Sequence, residues 1–215
     1  MDILVAGGHG QVALRLLKLL AHQGHTARGL IRKREQAADL EAVGAVPVLG
    51  DLEREASLHT HVKGADAVVF AAGAGPGSGP ARKKTVDLGG AVKLVDAAKE
   101  AGVRRYVMVS SIGADRPGSS GESMRPYLEA KAEADGYLQA SGLDYTIVRP
   151  GSLRDDPGTG RVRVSTDLGG RGPVPRDDVA AVLAAVLAAD ATIGVTFELF
   201  AGDTPIAEAL AGLRS

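Results

Sequence analysis

The stretch that most constrains what this chain can fold into is Asp2-Ile3-Leu4-Val5-Ala6-Gly7-Gly8-His9-Gly10-Gln11-Val12-Ala13. An aliphatic run is cut off by three glycines among four residues, and apolar residues then recur at helical spacing, at Val12, Leu16, Leu19 and Leu20. This pattern predicts a strand, a tight turn and a helix. Gly7, Gly10 and Ala13 fall three apart, the spacing of a dinucleotide turn. Gly7 permits a turn that a Cβ obstructs, Gly10 lets the backbone approach a pyrophosphate, and Ala13 lets the helix lie close on the sheet. The helix start at Gln11 and Val12 offers unpaired N–H groups and a positive dipole end to phosphates.

The second strand is expected over 26–31 and runs into Arg32-Lys33-Arg34. An acid at this point accepts the adenosine ribose 2′-hydroxyl of NAD, whereas a basic residue accommodates a 2′-phosphate. No acid stands at the strand end, so Arg32 and Lys33 favour NADP(H) over NAD. A helix over 35–43 and a third strand over 46–49 follow. Asp51 then either accepts from the adenine amino group, with Leu52 over the ring, or caps a helix over 53–62. The fourth strand, 67–70, is wholly apolar and leads into Ala71-Ala72-Gly73, small enough to pass beside a cofactor. A loop at 74–80, rich in Gly and Pro, overhangs the site.

A long helix over 84–101 is expected to turn Val86, Leu88, Val92, Val95 and Ala98 inward, with Asp87 and Lys93 among its polar members. The fifth strand, 105–109, ends at Ser110-Ser111, and a polar loop at 114–123 precedes a helix over 124–141. The sixth strand, 145–148, ends at Arg149-Pro150-Gly151. Region 152–175 holds one expected strand, 161–165. Asp177 or Asp178 caps a helix reaching 189, and a strand over 196–200 and a short helix from Pro205 follow. Strands and helices alternate throughout, which predicts an α/β, doubly wound parallel sheet of the Rossmann type, covered on both faces to make three layers. One domain spans 1–215, with 152–215 as a small substrate-side portion. Ligands of such a sheet gather at the carboxyl ends of its strands, where every loop named above lies.

Within the helix over 124–141, Tyr127 and Lys131 stand one turn apart on one face. A tyrosine hydroxyl is a poor acid or base near neutrality, with an ordinary pKa of about 10, and an adjacent cation favours its phenolate. That makes the pair a candidate proton donor and its tuning partner, with Lys131 also able to hydrogen-bond the nicotinamide ribose. Ser110 and Ser111, at a neighbouring strand end, offer hydroxyls to orient a carbonyl.

Composition narrows the partners. The net charge of −1 suggests neither nucleic acid nor a membrane surface, and the absence of cysteine excludes disulfides and thiolate catalysis. The five histidines form no credible metal site with the acids around them, and His9 alone sits where it could touch a pyrophosphate. A strand beginning at residue 2 leaves no room for a signal peptide, and with the lack of cysteine this points to the cytoplasm. A small-molecule substrate is expected, with monomer and homodimer both open.

Taken together, Gly7 to Ala13, Gly50-Asp51-Leu52, Ala71-Ala72-Gly73, Val86-Asp87, Val109 to Gly113, Tyr127 with Lys131, Tyr145 to Gly151 and Arg176 to Ala180 carry a resemblance over essentially the whole chain. The chain resembles the short-chain dehydrogenase/reductase superfamily. The likeness is to its atypical members with an extended-type glycine motif, small NAD(P)-binding proteins of epimerase/dehydratase or NmrA-like name. The resemblance implies an NADP-binding Rossmann fold with Ser111, Tyr127 and Lys131 as the reductase triad. It also implies a cofactor contact at Pro150, Gly151, Ser152 and Leu153, where the nicotinamide carboxamide passes. Asp87 stands where the family usually has an active-site Asn, and an ionised Asp cannot donate. Two functions are consistent with these residues. One is an NADPH-dependent oxidoreductase acting on a small carbonyl or conjugated acceptor; the other is a non-catalytic NADP(H)-binding regulator.

Overall fold

The computed structural model describes residues 1–75 and 77–214. β1 (Asp2–Ala6) is followed by α1 (Gln11–His22), β2 (Thr26–Ile31), the short α2 (Ala37–Glu41) and β3 (Val46–Leu49). The chain crosses back through α3 (His59–Val62) to β4 (Ala67–Phe70), on the other side of β1. It continues through α4 (Pro80–Arg82), a π-helical segment (Lys83–Gly90), α5 (Ala91–Glu100), β5 (Arg105–Val109), α6 (Arg125–Gln139) and β6 (Asp144–Pro150). Then come β7 (Ser152–Arg154), β8 (Arg161–Ser165), β9 (Pro173–Pro175), α7 (Arg176–Leu187), β10 (Val195–Ala201), β11 (Thr204–Pro205) and α8 (Ile206–Ala211).

The main sheet has nine strands in the order β11-β8-β10-β6-β5-β4-β1-β2-β3. Successive side chains of a strand point to opposite faces, so strands covered on both faces must be apolar throughout. In β1, Ile3 and Val5 join one apolar layer with Leu16, Leu20 and Leu183, while Leu4 and Ala6 join the other with Leu94, Val95 and Met108. The order places β2 and β3 on one side of β1 and β4 on the other. Chain direction therefore diverges at the carboxyl ends of β1 and β4, which opens a crevice there. The fold is Rossmann-like, a single domain with a mostly parallel sheet.

The sheet is not parallel throughout. β8 pairs antiparallel with both β10 and β11. Parallel neighbours need a crossover that returns the chain to its starting edge. Here the glycine-rich turn after β8 reverses the chain first, so that β9 runs beside β7 in a separate two-stranded sheet and only then enters α7. The expected helix over 53–62 is reduced to α3. Asp51 accepts the N–H groups of Glu53 and Arg54, Glu55 accepts that of Asp51, and Lys93 takes the carbonyls of Glu53 and Glu55. Side-chain hydrogen bonds of this kind compete with helix formation. His61 is held by Glu55 at 2.7 Å.

Asp177 and Asp178 lie inside the first turn of α7 and do not cap it; the cap position is Pro175. Both carboxylates still sit by the positive helix end. Asp178 accepts from the backbone of Thr159 and Gly160, and Asp177 from Arg15 and Gly158, which ties the turn before β8 to α1 and α7. The helix expected over 35–43 is a 3-10 turn, Arg34–Gln36, followed by α2. The helix expected to begin at residue 84 begins at Pro80, and Asp87 within it is fully buried, not on its polar side. The expectation for 74–80 includes Pro76, which lies outside the described residues.

Candidate nucleotide and acceptor site

The turn after β1 is built for close approach. Gly7 has φ +81°, and a Cβ there would lie 2.6 Å from Ala72 Cα. The Gly10 N–H donates to the Gly7 carbonyl at 2.8 Å and closes the turn. α1 starts immediately afterwards with no side-chain cap on its N-terminus. Its first N–H groups therefore remain open to a ligand oxygen.

A cavity of about 250 Å³ lies beside this turn. Gly7, Gly10 and Arg32 line it, as expected, together with Asp51, Leu52, and the Ala71-Ala72-Gly73 run. Gln11, Val12 and Lys33 do not. The Gln11 side chain accepts from Arg15, Val12 is packed into the core, and Lys33 is exposed. His9, singled out in the sequence as a possible pyrophosphate contact, is also in the wall, and sequence reasoning missed three further polar wall residues: Gln36, Glu53 and Arg82. His9 is fixed by Asp39 at 2.7 Å. Glu53 accepts from Arg82 at 2.9 Å and Thr85 at 2.7 Å, and lies 3.7 Å from Arg32. The hydrogen bonds from Arg82 and Thr85 hold the Glu53 carboxyl below the usual carboxylate range. An acid does therefore meet Arg32, but it arrives from the segment after β3 and not from the end of β2. Asp51, expected to accept from the adenine or to cap a helix over 53–62, accepts the Glu53 and Arg54 N–H groups in the turn that stands where that helix was expected to start.

At the other end of the crevice, α6 carries Tyr127 and Lys131. Lys131 is 3% exposed; its Nζ donates to the Val109 carbonyl at 3.2 Å and lies 3.4 Å from Asp87 Oδ1. The second Asp87 oxygen accepts the Ala74 N–H at 3.1 Å. Asp87 is placed there by the π-helical segment, whose wider turn changes which side chains face inward. Two ammonium groups stand over the Tyr127 ring, Lys83 Nζ 5.2 Å and Lys131 Nζ 5.8 Å from its centroid. Tyr127, Lys131 and Asp87 thus form one cluster.

Ser111 and Ser110 face different ways. Ser111 lines a second cavity, of about 530 Å³, along with Gly151 and Ser152. Gly151 has no room for a side chain, because a Cβ would strike the Gly172 carbonyl and the Phe200 ring. Pro150 is buried in β6, and Leu153 is exposed on β7. The loops at 114–123 and 152–175 both supply walls to this second cavity. The Ser110 hydroxyl is turned into the protein, donating to Asp135 at 2.9 Å. Asp135 also receives two hydrogen bonds from Arg149, at 3.0 and 2.9 Å. Burial pushes the Asp135 carboxyl up, against the opposing pull of Arg149 and Ser110. Asp135 lies four residues beyond Lys131, a helical spacing from which it could have been found.

Comparison with known proteins gives a consistent picture. A family model described as NAD(P)H-binding matches residues 7–190. A Bacillus subtilis (strain 168) protein, named as the uncharacterized sugar epimerase YhfK, is 45% identical over 212 residues, covering 98% of this chain and 99% of that protein. A solved Bacillus halodurans protein, provisionally named an NAD-dependent epimerase/dehydratase, is 42% identical with a TM-score of 0.95, covering 99% of this chain and 100% of its own. The solved ChuY of Escherichia coli O157:H7, an anaerobillin reductase, is 26% identical with a TM-score of 0.81, covering 94% of this chain and 98% of its own.

Proposed function

Because the chain belongs to the NAD(P)H-binding family, we propose that it is an NADPH-dependent oxidoreductase acting on a small carbonyl or conjugated acceptor. The observation that carries this reading is the Tyr127–Lys131–Asp87 cluster, in which a buried ammonium group is fixed beside a phenol. A lysine buried to 3% exposure is costly unless paired, and here it is held by a carboxylate and a carbonyl. Reductase neighbours such as ChuY support the same chemistry.

The glycine turn, the uncapped start of α1 and the cavity beside them fit the pyrophosphate and adenosine of a pyridine dinucleotide. Gly7, Gly10 and the N–H groups at Gln11 and Val12 take the pyrophosphate, Asp51 and Leu52 the adenine, and Arg32 with Lys33 the 2′-phosphate. Ala71 to Gly73 and Pro150 to Leu153 flank the nicotinamide half. When bound, NADPH would supply the hydride that reduces the acceptor carbon, being itself oxidised to NADP⁺. Ser111 orients the acceptor oxygen by a hydrogen bond. Tyr127 gives its hydroxyl proton to that oxygen, so that a carbonyl becomes an alcohol. Lys131 favours the phenolate left behind and hydrogen-bonds the ribose. Asp87 holds Lys131 and, through Ala74, the loop beside the ring.

The test is NADPH oxidation with a panel of quinones, flavins and aldehydes, followed by the same assay on Tyr127→Phe. That variant should lose at least about a hundredfold in kcat, the lower end of what a general acid contributes, and should bind NADPH unchanged. Turnover that survives the substitution removes Tyr127 from the mechanism.

A further inference from the structure

The second cavity carries a charge that this mechanism leaves unused. Its walls include two guanidinium groups, Arg116 and Arg171, and no carboxylate. The two are not equivalent. Arg116 is answered from behind: its Nε lies 2.9 Å from Asp115, and its Nη2 lies 4.0 Å from both Asp167 and Glu198. Glu198 is buried on β10 and accepts the Leu168 N–H at 2.6 Å, which pins the start of the segment leading to Arg171. Arg171 itself has no ion-pair partner among the described residues. The large apolar side chains of the lining are Ile112, Met124 and Leu128.

A guanidinium presents a planar fork that matches a carboxylate through two parallel hydrogen bonds. An unanswered one lining a concave, half-apolar cavity gains more from an anionic guest than from a neutral one. The cavity volume of about 530 Å³ falls in the usual range for small-molecule pockets. The geometry points to an acceptor with an apolar body and a carboxylate end, the carboxylate bound by Arg171, the body along Ile112, Met124 and Leu128, and the reacting carbonyl at Ser111. The carboxylate takes no part in the transfer. This assignment rests on the reductase reading for the word acceptor, but the anion site can be tested without it.

Two measurements decide it. The first is calorimetric titration of the cofactor-free protein with benzoate and, as the neutral control, benzyl alcohol. The second is NADPH-dependent reduction of 4-carboxybenzaldehyde against benzaldehyde. Both are run on the parent and on Arg171→Gln, with Arg171→Lys as the charge-retaining variant. Arg171 is exposed, so the substitutions leave the core untouched. Benzoate should bind the parent and lose about tenfold in affinity in Arg171→Gln, the size of one charged hydrogen bond, with partial recovery in Arg171→Lys. The carboxylated aldehyde should be preferred by a similar factor, through KM, and the preference should vanish with the guanidinium. Benzoate binding that is absent, or equal in parent and Arg171→Gln, overturns the anion site whatever the activity. If benzoate binds as expected and neither aldehyde is reduced, the anion site stands and the reductase reading is what failed.

Discussion

Arg32 is the residue on which we propose that cofactor choice turns, and it does not stand alone. Glu53 lies 3.7 Å away and is itself held by Arg82 and Thr85. A 2′-phosphate entering here meets two guanidinium groups and one carboxylate; a 2′-hydroxyl meets a carboxylate able to accept it. Arg32→Glu reverses the balance and is expected to weaken NADPH by far more than NADH, on the order of the tenfold that one charged hydrogen bond is worth. Titration of both nucleotides by calorimetry checks this, and equal affinities before and after would make the basic turn mere surface. The sequence offered Arg32 because it directly follows a legible strand. It hid Glu53 and Arg82, because nothing local brings residues 32, 53 and 82 together; the sheet order does.

Among the elements, the π-helical segment Lys83–Gly90 has the largest effect on the site. The expected regular helix counted Asp87 with Lys93 among its polar members, whereas in the π-helical segment Asp87 is fully buried opposite Lys131. This is why Asp87 was legible as a candidate residue but not as a buried one. The strands β1, β4 and β5 posed no such difficulty, since a strand buried on both faces must be an apolar run of that length. Breaking a buried ion pair from one side leaves an uncompensated charge, so Asp87→Asn should lower stability by about 3 kcal/mol. Urea denaturation with an unchanged slope would read this as a shift in midpoint. The double variant Asp87→Leu with Lys131→Met should recover most of the loss, since a well-packed apolar pair can replace an ionic one. A single variant as stable as the parent would show that the pair is not under strain of burial.

At the scale of the whole molecule, the portion from residue 152 to 214, expected on the substrate side, is continuous with the main sheet through β8, β10 and β11. β10 lies between β6 and β8, and Phe200 on it packs against Gly151 and Gly172. Thermal unfolding followed by far-UV circular dichroism and by calorimetry should therefore give one coincident transition; two separated transitions would mark an independent unit. The reversed β8 was beyond the reach of sequence patterning, because alternation of strand and helix carries no record of the turn that flips the chain before α7. The placement of β10 also orders events at the ribosome. The residues lining the cavity beside the glycine turn end at Val86, whereas those lining the second cavity run on to Arg171, in the segment that Glu198 on β10 holds through the Leu168 N–H. A nascent chain thus carries every residue that lines the first cavity some eighty-five residues of translation before the last that lines the second, and the segment bearing Arg171 gains its Glu198 anchor only once synthesis has passed β10.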